Sequence, residues 1–360
     1  MIFGACFNAC AYDTHFEDCA VRCTTDMECP VDLTCEAEGL CRTPGATEAC
    51  TAVLEEILPS CVGLAATCGP NANEDCCSTA TPIPGGTFFR SYDVASDGMY
   101  PSTAYPATVS SFVLDRFEVT VGRFRKLVEA GMGTQASAPA TGAGARSLNG
   151  LEGQGGWDAS WNTSLATDIA ALVAAVKCSA AYQAWTDMPT GNGSENRPIN
   201  CINWYEALAF CVWDGGYLPS DAEWNYAASG GDEHRAFPWS SPPNSLAVDC
   251  SYANYYPSNS PCAGTTNNVG SESPKGDGRW GQSDLGGNVR EWMLDWYAPS
   301  YVNPCTDCAT LTPAATSQSR MMRGGGLFQP ASSLRVSYRI SQGPLGRDSG
   351  VGLRCARSAS

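Results

Sequence analysis

The chain has 360 residues, 43% of them hydrophobic, with 20 cysteines, 2 histidines and a formal net charge of −16. That length accommodates one large domain and a small one, with apolar side chain enough for a sizeable core. The negative balance excludes nucleic acid and anionic lipid as partners of the whole surface, and so many thiols beside so few histidines point to disulfides in an oxidising compartment rather than to zinc.

Residues 1–77 hold 12 of the 20 cysteines and 13 acidic residues against Arg22 and Arg42 alone. A segment so short and polar relies on cross-links rather than burial, so it is read as an acidic, Cys-rich disulfide module. Its connectivity does not follow from sequence, although Cys23, Cys29, Cys35 and Cys41 recur every six residues. A short helix is predicted over residues 52–58. No export signal is visible at the start of the chain, and the cysteine content implies a processed one. Phe3-Gly4-Ala5-Cys6 is a weak match to a lipoprotein cleavage site, which would anchor the chain at Cys6. The longest apolar run, residues 169–176, is far short of the ~20 residues of a membrane span, so no transmembrane segment is expected. The chain is therefore read as secreted or cell-surface.

Residues 78–84 read as a linker and 85–358 as the large domain. Gly85-Gly86-Thr87-Phe88-Phe89-Arg90 and Ser111-Phe112-Val113-Leu114-Asp115 are strand candidates. Thr120 caps a predicted helix whose Val121, Phe124, Leu127 and Val128 share one face, ended by Gly131. Asn203 with Glu206 opens a second, carrying Leu208, Cys211 and Val212. Ser220 with Glu223 is a capping box that opens a third, carrying Trp224, Ala227 and Ala228. Residues 133–156, rich in Gly, Ala and Ser, read as a long exposed loop. Beyond Pro238 periodicity fades, which implies much irregular backbone.

An ordered series of segments resembles the formylglycine-generating (sulfatase-modifying factor) family: Phe117-Glu118-Val119-Thr120, Arg197-Pro198-Ile199-Asn200, Leu218 to Trp224, Phe237-Pro238-Trp239, Gly287-Asn288-Val289-Arg290-Glu291-Trp292, Arg323-Gly324-Gly325-Gly326 and Gly352-Leu353-Arg354-Cys355. The resemblance implies an α+β, irregular C-type-lectin-like fold. Active members oxidise a substrate cysteine to formylglycine with copper, held by two cysteines shortly after Arg-Gly-Gly; copper(I) suits such a thiolate pair. Here residues 326–335 contain no cysteine, histidine or methionine. No copper is expected, and the chain resembles a non-catalytic member, with an enzyme that modifies secreted proteins as the alternative. Two histidines, His15 and His234, support neither an iron site nor a triad. Asp284, Glu291 and Asp295 are read as structural or calcium-binding rather than as a glycosidase pair.

Calcium is the expected cofactor, since carboxylates, amides and carbonyls supply its oxygens. By resemblance the first site takes Asn288, the carbonyl of Val289 and Glu291; the second takes Asn254 and the carbonyl of Tyr255. Trp280, Arg323, Phe328 and Gln329 are expected to face a protein or glycan ligand. The resemblance also implies a Cys211–Cys355 disulfide, and two family cysteines are jointly replaced by Ala228 and Val336. Proximity pairs Cys178 with Cys201, Cys250 with Cys262, and Cys305 with Cys308. The last is a Cys-x-x-Cys pair read as a structural bond, since Pro304 and Asp307 offer nothing to stabilise a thiolate, with a redox motif as the alternative.

Overall fold

The computed structural model describes residues 34–35, 41–44, 58–78, 81–95, 100–188, 194–301 and 303–359. The chain divides into two compact units, Met1–Ile57 and Leu58–Ser360. Described residues of the first form one antiparallel pair, β1 (Thr34–Cys35) with β2 (Cys41–Arg42). Lipidation of Cys6, the positions of His15, Cys23 and Cys29, and a helix starting at Ala52 fall outside the described residues.

The large unit begins at Leu58, so residues 58–77, expected in the Cys-rich module, belong to it. Two nested disulfides, Cys61–Cys77 and Cys68–Cys76, shape this segment. It docks because it partners buried polar groups of the domain. The Ser60 amide donates to Asp214 at 2.9 Å, Arg123 donates to Ser60 Oγ at 2.9 Å, and Thr67 and Asn196 exchange two hydrogen bonds of 2.8 Å.

Along the chain the large unit then runs β3 (Gly86–Phe89), β4 (Pro106–Val109), β5 (Phe112–Leu114), α1 (Val121–Glu129), β6 (Arg146–Leu148), β7 (Leu151–Gln154), α2 (Ile169–Ala175), α3 (Trp204–Trp213), α4 (Asp221–Ala228), β8 (Arg290–Trp296), β9 (Arg320–Arg323), β10 (Ile340–Gln342), β11 (Val351–Gly352) and β12 (Ala356–Ser358). The central sheet has four strands in the order β10-β9-β8-β11, with only the β11–β8 pair parallel. Small antiparallel pairs, β3–β4, β5–β12 and β6–β7, surround it.

Successive strand residues point to opposite faces, and both faces of this sheet are covered. Trp292, Leu294 and Met322 enter one core with Phe124, Trp157, Trp204 and Phe210. Met293 and Met321 enter the other with Phe88, Phe112, Trp224 and Val336. Burial on both faces explains why β8 and β9 lack the polar alternation of a half-exposed strand.

The helix starts are local chemistry. Thr120 Oγ1 accepts from the Arg123 amide at 3.2 Å, and both Asn203/Glu206 and Ser220/Glu223 form reciprocal capping boxes. The exposed loop expected over residues 133–156 instead contains the β6–β7 hairpin. Its turn is Asn149-Gly150, with φ of 55° and 73°, and its Leu148 is buried in the first core. Asn-Gly supplies two positive φ values, the local signal that the Gly-rich composition masked. Between α4 and β8 there is no α-helix or strand, and loop-to-loop hydrogen bonds do the work of a ladder. Among the described residues no helix is long and apolar enough to cross a membrane.

Candidate functional site

The loop after β9 is built by two glycines. Gly324 and Gly325 have φ of 91° and 66°, and a Cβ on Gly325 would sit 2.6 Å from the Ser333 carbonyl. The turn brings Phe328 and Gln329 to the surface, both half-buried. Phe328 meets Tyr182 edge to face, ring centres 4.9 Å apart, and Tyr182 is 38% exposed. The Gln329 backbone is tied down at both ends, donating to Gly326 and accepting from the Tyr256 amide. Its side-chain oxygen has only a long 3.5 Å contact with Ser333 Oγ. An aromatic edge beside a loosely held amide is a surface suited to recognition. Sequence reasoning missed Tyr182, which lies in a different segment with no motif to mark it.

The other two residues expected on this surface lie elsewhere. Trp280 is half-buried and stacks on Tyr226, ring centres 5.6 Å apart, with Arg279 beside it. Arg323 is a correction: it is fully buried. It donates to Asp221 at 2.6 Å, to the carbonyls of Val336 and Tyr338, to Ser91 Oγ and to Tyr301 Oη. A guanidinium with all its nitrogens engaged inside the protein ties β9 to α4 and offers nothing to a ligand.

Beneath the Gly-Asn turn lie three buried carboxylates, Glu118, Asp284 and Glu291, with the half-buried Glu272 close to Asp284. Glu118, fully buried just before α1, accepts from Asn288 Nδ2 at 2.7 Å and from the Val289 amide at 3.0 Å. Asn288 holds a positive φ of 53°, which asparagine tolerates better than most residues. Glu291 on β8 accepts from Arg354 at 3.0 and 2.9 Å through one oxygen and from the Trp224 indole at 2.7 Å through the other. Asp284 accepts from the Gly270 amide at 2.6 Å, and Glu272 accepts from Asn267 Nδ2 at 2.6 Å. Burial first, then Asp284 and Glu291, push the Glu118 carboxyl well above its usual range. Burial pushes Asp284 up to about 6. Burial and then Asp284 push Glu272 up to about 8.

These contacts redistribute the expected calcium ligands. The Asn288 side chain is engaged by Glu118 and by the Asn267 amide, and both oxygens of Glu291 face donors, so neither is an open cation ligand. At the second expected site, Asn254 donates to the Thr265 carbonyl and accepts from the Ala263 amide, while the Tyr255 carbonyl accepts from the Cys262 amide. Those atoms brace a loop. Among the described residues no three His, Cys, Asp or Glu side chains gather as a ready metal cluster. Asp295 is also a brace: its oxygens accept from the amides of Asp221 and Thr310, and burial pushes it up to about 6.

All twelve cysteines of the large unit are bonded, with Cys178–Cys201, Cys211–Cys355, Cys250–Cys262 and Cys305–Cys308 completing the set. Residues 326–335 hold no thiol.

Residues 65–359 match the model of the sulfatase-modifying factor enzyme 1-like domain. The formylglycine-generating enzyme of Streptomyces coelicolor is 32% identical over 46% of this chain and 54% of its own length. The mouse enzyme of that name is 28% identical over 76% of this chain and 74% of its own length. The mouse inactive C-alpha-formylglycine-generating enzyme 2 is 26% identical over 77% of this chain and 85% of its own. Among solved structures, PvdO from Pseudomonas aeruginosa superposes with a TM-score of 0.52 at 19% identity, covering 78% of this chain and 94% of that one, a likeness of fold.

Proposed function

This chain belongs to the sulfatase-modifying factor enzyme 1-like family, and we propose that it uses the family's fold to bind a partner rather than to oxidise one. The observation that carries this reading is the fate of its thiols. The loop after Arg323-Gly324-Gly325 has no cysteine, and every cysteine of the large unit is committed to a disulfide. Copper(I) chemistry needs soft thiolate ligands, and none stands free in the large unit. A relative named as an inactive formylglycine-generating enzyme shares the same length of chain, which supports a non-catalytic use of the fold. The ligand, protein or glycan, meets Phe328, Tyr182 and Gln329. Six disulfides in one unit support a secreted or cell-surface setting.

Incubation with copper, oxygen and a Cys-x-Pro-x-Arg peptide is expected to yield no formylglycine by mass spectrometry. Conversion above a protein-free control would return the chain to the oxidases that several of its relatives are named for.

Calcium enters this reading through charge. Glu118, Asp284 and Glu291 gather near one guanidinium, that of Arg354, with Glu272 beside Asp284, and Glu272 Oε2 and Thr266 Oγ1 have no hydrogen-bond partner among the described residues. A hard cation answers both the excess charge and the orphaned oxygens. Asp284 and Glu272 would hold it, with amide and carbonyl oxygens completing the shell. After chelation, adding calcium should raise the melting temperature, since an ion bound only to the native state stabilises it by about 2.7 kcal/mol at a hundredfold excess over Kd. Asp284→Asn should abolish most of that rise. An unchanged melt across a calcium titration would remove the ion from this account.

A further inference from the structure

We propose that Cys305 and Cys308 are a redox-active pair that exchanges disulfides with protein or peptide dithiols, with Cys308 as the exchanging sulfur. Cys305 is 5% exposed and buried in the second core, while Cys308 is half-buried at that core's edge, where a partner sulfur can reach it. Arg90 Nη1 donates to Cys308 Sγ at 3.4 Å. The guanidinium is held in place: its Nη2 donates to Asn303 Oδ1 at 2.9 Å, and it lies 4.3 Å from the ring centre of Tyr301. Elsewhere among the described residues, Cys61 Sγ meets the hydroxyl of Ser60 and Cys76 Sγ that of Thr67, neither of them charged.

A buried cation against sulfur stabilises thiolate over thiol, and a Cys-x-x-Cys spacing closes a small ring. Arg339 lies on the Tyr301 ring at 4.2 Å, adding a second cation. The one carboxylate within the loop, that of Asp307, is turned away to the amide and hydroxyl of Ser110. Burial lowers the pKa of the Arg90 guanidinium on balance, while Tyr301, Asp221 and Asp295 favour its charged form.

The segment also keeps its place without the bond. The Cys305 carbonyl accepts from Thr108, the Asp307 amide donates to Thr108, the Asp307 carbonyl accepts from Asn149, and the Ala309 amide donates to Asn149 Oδ1. Opening the disulfide therefore leaves the loop anchored to β4 and to the β6–β7 turn, as reversible exchange requires.

In the exchange a partner thiolate attacks Cys308 Sγ and the Cys305–Cys308 bond breaks. Its electron pair passes to Cys305 Sγ, which takes up a proton. The partner's second thiolate then attacks the partner sulfur of the mixed disulfide and expels Cys308 as the thiolate beside Arg90. The partner dithiol loses two electrons to the pair, and the reverse sequence reduces a partner disulfide.

The test uses the full chain in graded dithiothreitol, quenched by alkylation and mapped by mass spectrometry. Cys305–Cys308 is expected to open at a dithiothreitol concentration at least about tenfold below that opening Cys211–Cys355 or Cys250–Cys262, with the circular dichroism of the folded chain retained. In the reduced pair, Cys308 should alkylate first, with a rate midpoint a pH unit or more below the ~8.5 of a free cysteine. Arg90→Gln should move that midpoint upward and Arg90→Lys should keep it low. A reduced two-cysteine peptide should be oxidised one for one by the native chain and not by Cys308→Ser. Opening only together with the other pairs, or an ordinary midpoint in the native chain, overturns the proposal. Both readings come from the native chain and stand even if Arg90→Gln does not fold.

Discussion

Replacing Arg354 with methionine is expected to destabilise the large unit by about 3–5 kcal/mol, the range for removing one partner of a buried ion pair. The Arg354 side chain is fully buried, and its donors reach Glu291 and the carbonyls of Asp115, Arg116 and Ser283 at 2.6–3.0 Å. Its loss removes a donor from each of three carbonyls, of which Arg116 keeps the Ser283 amide, and leaves Glu291 beside Glu118 and Asp284 without their cation. Methionine restores most of the volume and none of the hydrogen bonds, so the loss reports the polar contacts rather than a cavity. As a control, Lys126→Ala removes the partly exposed i,i+3 pair with Glu129 and is expected to cost only about 0.3–0.5 kcal/mol. Urea unfolding followed by circular dichroism measures both. A loss below about 1 kcal/mol for Arg354→Met would show that the carboxylate group tolerates the missing charge.

Removing Cys211–Cys355 as a double alanine variant should cost on the order of 5 kcal/mol, because the bond closes a loop across a sequence separation of 144. Cys250–Cys262, with a separation of 12, should cost roughly 3 kcal/mol by the same loop-closure argument. Both residues of the longer bridge are fully buried in the first core, where the bridge joins α3 to the stretch leading into β12. Alanine keeps the site apolar, so unpaired thiols add nothing to the comparison. Equal losses for the two variants would mean that local packing, not chain entropy, sets the effect.

The helix starts at Thr120, Asn203 and Ser220 are legible in the sequence because the donor each cap satisfies lies three residues away. The β6–β7 hairpin is legible only at Asn149-Gly150; the composition around it reads as loop, and tertiary burial of Leu148 outweighs that composition. Glu118 stands inside a quoted motif, yet its partner Asn288 lies 170 residues further on, so its role is invisible along the chain. Arg323 and Phe328 look alike as binding anchors in sequence. They part only when Asp221 and Tyr301 close around one and leave the other at the surface beside Tyr182.

By itself the amino-acid sequence determined the α+β family, the helix starts and the absence of a cysteine in residues 326–335, since each of these rests on residue identity and short-range order. Only the tertiary structure decided that residues 58–77 dock on the large unit, that Arg323 is internal, that three carboxylates crowd about Arg354, and that Arg90 touches the sulfur of Cys308. Those outcomes depend on distances between residues tens to hundreds of positions apart. In a low-dielectric interior, a separation of a few ångströms decides whether a charge is paired, orphaned or available.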